Sequence, residues 1–138
     1  MRLIFLDVDG VLNQLQKYFV DNKCVQRLSS LIDFDVKIVL ISSWRLGLDI
    51  DYKKCSPQVQ KLRDICNQYD FDIKYKTGKT GDRRTEVLDF LSGKNVYNYI
   101  ILDDDESEYS SVSDLNFYRV NNKTGLTDLD IAKIKSKW

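Results

Sequence analysis

Asp7 and Asp9 close the apolar run Leu3-Ile4-Phe5-Leu6, one residue apart, and Gly10 follows at once. On an extended strand, residues two apart share a face, so the two carboxylates lie together. Two such charges at ~4 Å repel by ~4 kcal/mol at an effective dielectric of ~20. A divalent cation relieves that repulsion, and carboxylate oxygens suit a hard ion such as Mg²⁺. A polar turn with Asp9-Gly10 at its centre accounts for the same residues equally well. The pattern recurs further along, where Ile100-Ile101-Leu102 ends in Asp103-Asp104-Asp105 and Ile38-Val39-Leu40-Ile41 ends in Ser42-Ser43-Trp44-Arg45. Three apolar segments all deliver polar residues at the same end, which weakens the turn reading for each. A basic stretch follows the same logic: Lys74, Lys76, Lys79, Arg83 and Arg84, spaced by Gly78 and Gly81. Most such charges are simply solvated, but one of them can neutralise a phosphate.

This inventory suits phosphoryl transfer. A carboxylate attacks phosphorus and forms an aspartyl-phosphate, while a metal and a cation offset charge on the equatorial oxygens. A hydroxyl fixes one oxygen, and a second carboxylate moves the proton. The chain contains no histidine, which excludes Ser-His-Asp triads, histidine metal sites and a histidine base. Acid–base work falls to carboxylates, lysine or tyrosine.

The elements that must position these residues alternate. Residues 2–6 and 36–41 read as strands, Phe71–Tyr75 as a weaker one, Tyr97–Leu102 as a fourth and Phe117–Val120 as a fifth. Helices are expected over 21–33, capped by Asp21, and from Ser56-Pro57 with Val59, Leu62, Ile65, Cys66 and Tyr69 inward. Further helices are expected over 84–92, closed by Gly93, and after Thr127 with Asp130 in a capping box. The alternation predicts a Rossmann-like α/β fold with a mostly parallel sheet covered on both faces, whose ligand site lies beyond the carboxyl ends of the strands. At 138 residues a single domain spanning 1–138 is expected. Equal numbers of acidic and basic residues give net charge no say on nucleic-acid affinity. Three scattered cysteines without a CxxC suit a reduced, cytoplasmic protein. Asp7 breaks the first apolar run too early for a signal peptide or membrane span.

With these residues in order, the chain resembles the haloacid dehalogenase (HAD) superfamily of phosphohydrolases. Asp7-Val8-Asp9-Gly10-Val11-Leu12 is similar to its first motif, Ile38-Val39-Leu40-Ile41-Ser42 to its second and Ile100-Ile101-Leu102-Asp103-Asp104 to its fourth. The resemblance implies Asp7 as nucleophile and Asp9 as general acid/base. It implies Ser42 on the phosphoryl group, with Ser43 as the alternative, and Mg²⁺ held by Asp7, the Asp9 carbonyl, Asp103 and Asp104. The third-motif cation is Arg83, Arg84 or Lys79. Arg83 is favoured because Arg83-Arg84-Thr85-Glu86-Val87 is similar to the R-x-x-E-I helix start of a small HAD subgroup related to Swiss-army-knife RNA-repair proteins. Ser42-Ser43-Trp44-Arg45 and the late Gly125-Leu126-Thr127 fit the same subgroup. The family sheet order is 5-4-1-2-3. Residues 11–35 and 44–78 are too short for a full cap domain, so the site is expected to be open and to admit a phosphorylated protein or a nucleic-acid end. Arg45, Lys74, Lys76, Lys79, Arg83 and Arg84 are candidates to hold a phosphate backbone, and Trp44 and Tyr75 to stack a base. The competing reading is a non-catalytic phosphate-sensing module, HAD-like or receiver-like. A receiver fits less well, because the third strand ends in Lys-Tyr-Lys without an aspartate.

Overall fold

The computed structural model describes residues 1–17 and 19–138. The first strand, β1 (Arg2–Leu6), is followed by α1 (Asn22–Ser29), β2 (Val36–Leu40) and two 3-10 turns, Ser43–Gly47 and Tyr52–Lys54. Helix α2 (Pro57–Gln68), β3 (Tyr75–Lys76), α3 (Arg83–Leu91), β4 (Asn98–Asp103), β5 (Phe117–Arg119) and α4 (Asp128–Lys135) complete the chain. The five strands form one sheet in the order β3-β2-β1-β4-β5. Every pairing is parallel. The expected order and fold class are thus met, and among the described residues no cap is built between β1 and α1 or between β2 and α2.

The strand period of two splits the core between the faces. Ile4, Leu6, Ile38, Leu40, Ile100 and Leu102 point to one side, where they pack with Val25 and Leu28 of α1, Val59 and Leu62 of α2, and Ile131 and Ile134 of α4. Leu3, Phe5, Val39, Ile41 and Ile101 point to the other, against Val87 and Phe90 of α3 and against Tyr109. Central strands buried on both faces need continuous apolar runs, and β1, β2 and β4 supply them.

The helix starts follow the residues expected to cap them. Asp21 accepts from the Lys23 amide and Ser56 from the Val59 amide, and Thr127 and Asp130 form a reciprocal capping box. Two expectations are corrected. Helix α1 stops at Ser29 rather than running to 33, because Ser30 caps it and turns carry Leu31 into the core. The strand expected over Phe71–Tyr75 is only Tyr75–Lys76, paired with Val39 and Leu40. Phe71 and Ile73 are buried as the alternation implies, but they lie in an approach segment outside the ladder. Apolar alternation reports burial, and hydrogen bonding starts only where a neighbour lies alongside.

The late Gly125-Leu126 segment braces the loop after β1. The Leu126 amide donates to the Val11 carbonyl at 2.8 Å, and the Leu126 carbonyl accepts from Arg27 at 3.0 Å. Gly125 has φ +66°, and a Cβ there would sit 2.9 Å from Cys24 Sγ and 3.0 Å from the Val11 and Asn13 carbonyl oxygens. Gly125→Ala therefore combines left-handed strain with overpacking. It is expected to cost more than about 1 kcal/mol in urea denaturation.

Candidate active site

The parallel ladder continues past the strand ends and pins the site backbone. The Asp7 amide donates to the Leu102 carbonyl at 3.0 Å, and the Val120 amide donates to the Asp103 carbonyl at 2.9 Å. With β1 and β4 in register, Leu6 beside Leu102, the residues that follow emerge together. One carboxylate oxygen each from Asp7, Asp103 and Asp104 lies within 4.8 Å of the other two, and all three residues are buried. If ionised, such a pair repels by about 3 kcal/mol at an effective dielectric of ~20. Burial, then the neighbouring Asp103 charge, pushes the Asp7 carboxyl up to about 9, against the pull of Arg83. Burial raises Asp103 as well, opposed by Arg83 and the Tyr109 hydroxyl.

Arg83, at the first position of α3, is the counter-charge. Its Nη1 donates to Asp103 Oδ2 at 2.7 Å and lies 3.4 Å from Asp7 Oδ1, while its Nε pairs with Glu108 at 2.7 Å. Burial disfavours its charge, but the carboxylates of Asp7, Asp103 and Glu108 outweigh that and raise its pKa. Tyr109 donates to Asp103 Oδ2 at 2.9 Å. Gly10 has φ +84°, and a Cβ there would lie 2.4 Å from Asp104 Oδ2. Only glycine lets the turn after Asp9 pass so close to the fourth-motif acid.

Asp9 is clamped on both oxygens, by Asn13 Nδ2 at 3.3 Å and by the Trp44 indole N–H at 3.1 Å. Asn13 in turn accepts from the Gly10 amide at 2.8 Å. Ser42 caps the first 3-10 turn, its Oγ accepting from the Trp44 amide at 3.0 Å. It is buried, whereas Ser43 is exposed and lines the cleft. The cleft, about 470 Å³, is lined by Asp7, Asp9, Ser43, Arg83, Asp103 and Asp104, and also by Leu15, Asp105, Glu108, Arg119 and Asn122.

Several residues read as substrate contacts have other work. Arg45 is turned inward, where it pairs with Glu86 at 3.0 Å and donates to the Ile41 carbonyl. Glu86 accepts from the Thr80 and Gly81 amides, so this buried pair ties the basic loop to the end of β2. Arg84 points away and forms a two-pronged pair with Asp114. Lys76 holds the Leu48 carbonyl at 2.7 Å. Trp44 is 7% exposed and part of the core, so it is a clamp on Asp9 rather than a surface for a base. Lys79 and Tyr75 are exposed and do not line the cleft. Glu108, Tyr109, Arg119, Asn13 and Asn122 carry no motif that marks them as site residues in the sequence. Arg119 alone has a usable signal, since it ends β5 and the rule about carboxyl ends applies to it as well.

A parallel sheet with an acidic pair after β1, a serine after β2 and further acids after β4 defines a HAD-type domain, with no cap among the described residues. The sequence profile of the HAD domain in Swiss Army Knife RNA repair proteins matches residues 3–131, and the chain belongs to that family. No curated protein and no solved structure matches the chain. Among the described residues no helix is long and apolar enough to cross a membrane.

The buried charges make stability sensitive to pH and to the loss of a partner. Between the ordinary carboxylate range and about pH 9, native Asp7 keeps a proton that the unfolded chain has lost, so the metal-free protein loses stability as pH rises through that window. Asp7→Asn is expected to flatten this dependence and to raise the metal-free melting temperature at about pH 8, read by thermal denaturation across roughly pH 5–9. Arg45→Leu strands Glu86 as an unpaired buried charge and is expected to destabilise the fold by about 3–5 kcal/mol in urea.

Proposed function

We propose that the protein is a Mg²⁺-dependent phosphoric monoester hydrolase acting through an aspartyl-phosphate on Asp7. The convergence of Asp7, Asp103 and Asp104 beside Arg83, at the ends of β1 and β4, carries this reading. Family membership supports it. The donor set fits the metal: three buried carboxylates offer oxygen ligands only, the chemistry of a hard divalent ion. Asp7, Asp103 and Asp104, with the Asp9 carbonyl, would hold it. Bound there, Mg²⁺ supplies positive charge against the phosphoryl oxygens.

The residues divide the work as follows. An Asp7 oxygen attacks phosphorus as the bond to the leaving oxygen breaks, and Asp9 gives that oxygen its proton. Water then attacks phosphorus and gives a proton to Asp9 as the bond from the Asp7 oxygen to phosphorus breaks, so that inorganic phosphate leaves and the Asp7 carboxylate is restored. The clamp from Asn13 and Trp44 holds Asp9 in place for both transfers. Arg83 orients Asp7 and sets a cation beside the transferring group. Ser42 donates to a phosphoryl oxygen, with Ser43 as the alternative because it lines the cleft. Among the described residues no cap covers the cleft, which suits a phosphate borne by a large substrate. The family's RNA-repair proteins favour a nucleic-acid end over a phosphoprotein.

Hydrolysis of p-nitrophenyl phosphate tests the reaction. Turnover is expected with Mg²⁺ and none with a chelator, and Asp7→Asn should abolish it. Asp9→Asn should lower kcat by about 10²–10⁴-fold. Undiminished activity in pure Asp7→Asn protein would overturn the assignment. Phosphate-ester binding without turnover in the parent protein would favour the sensing module instead.

A further inference from the structure

The lining of the catalytic cleft is electrostatically uneven. The segment after β4 contributes Asp105 and Glu108, whereas the segment after β1 contributes Leu15 and the end of β5 and the residues beyond it contribute Arg119 and Asn122. Two more cavities open on that second part. One of about 320 Å³ shares Asp104, Arg119 and Asn122 with the cleft. The other, about 380 Å³, runs between Leu15, Lys17 and Lys123 and shares Leu15 and Asn122. All three therefore meet at Asn122. The Leu15 amide donates to the Asn122 carbonyl at 2.9 Å, which joins the two walls of this groove.

The cations divide in the same way. Arg83, Arg84 and Arg45 are all committed to carboxylates. Arg119, Lys123 and Lys17 are exposed, and among the described residues none of them forms an ion pair. Leu15 stands among them, 53% exposed. Unpaired cations spaced around an apolar ledge match a strand in which phosphates alternate with sugars and bases.

We infer that this groove holds the phosphodiester chain of a single-stranded nucleic acid behind its terminal phosphate. Arg119 and Lys123 take the next backbone phosphates, Lys17 flanks them, and Leu15 packs on a sugar or base. The inference rests on the phosphohydrolase reading and extends it to the body of the substrate. It also runs the strand from the cleft toward Lys17 and Lys123.

The test compares kcat/KM, with Mg²⁺, for p-nitrophenyl phosphate, for 3′- and 5′-phosphorylated nucleosides and for the matching trinucleotides. For at least one end, the trinucleotide is expected to exceed its mononucleotide by about tenfold, the scale of one or two charged hydrogen bonds. Arg119→Gln combined with Lys123→Gln should erase that ratio, and Arg119→Lys should keep most of it. The slope of log kcat/KM for the trinucleotide against log salt should shrink by about 0.7 for each backbone phosphate that a cation no longer neutralises. Both side chains are exposed, so the variants should fold. Absence of p-nitrophenyl phosphate turnover would sink the phosphohydrolase reading alone. The groove is then read by fluorescence anisotropy of a labelled trinucleotide on Asp7→Asn protein, with and without the double substitution. A trinucleotide no better than its mononucleotide, or an advantage that survives the double variant, overturns the inference. So does an acidic phosphopeptide whose larger advantage the same variant removes.

Discussion

Three carboxylates that repel one another are the constraint around which this molecule is arranged. They do not assemble for their own stability, so the surrounding structure must hold them. The parallel pairing of β1 with β4 does most of this, because its register places Asp7 beside the turn that carries Asp103 and Asp104. The apolar strands on both faces of the sheet supply the favourable burial that offsets the charge confluence. Arg83 and the Tyr109 hydroxyl then satisfy the acids from the side. Gly10 enters for lack of room, since any side chain there would meet Asp104.

The acids are legible in the sequence, while the fate of the bases is not, and the reason is physical. Strand ends are local features: Leu6 is followed by Asp7, and Leu102 by Asp103, whatever the rest of the chain does. A cation's role depends on its partner, and the partners lie far away in the chain. Glu86 lies 41 residues from Arg45, and Asp114 lies 30 from Arg84. Charge counting near 74–84 therefore implies a phosphate-binding loop, whereas pairing leaves Arg83 as the one cation of that loop lining the cleft. The same blindness hides Trp44, whose indole reaches across 35 residues to Asp9. Parallel sheet order follows from alternation, but β3 shrinks to two residues because burial periodicity cannot report where a ladder begins.

Short motif strings in this chain thus mix two kinds of work. In Arg83-Arg84-Thr85-Glu86, the first arginine meets the acids and the glutamate turns back to Arg45. In Ser42-Ser43-Trp44-Arg45, one serine lines the cleft and the tryptophan and arginine are tethers. The two strings are joined through the Arg45–Glu86 pair, so they are halves of one support. Resemblance to a family motif identifies both kinds of residue together, and only the three-dimensional contacts separate them.

The clasp between residues 11–15 and 122–126 has a consequence for synthesis. The loop that carries Asp9 and Gly10 is made well before the segment that braces it, since its bracing bonds come from the Leu126 amide and the Asn122 carbonyl. Contacts of such sequence separation carry the entropy cost of closing a long loop. A nascent chain can pair β1 with β2 early, but the aspartate loop lacks its brace until the segment 122–126 has also been made. A nascent chain that lacks residues 122–126 therefore presents the Asp9 loop without these two bonds.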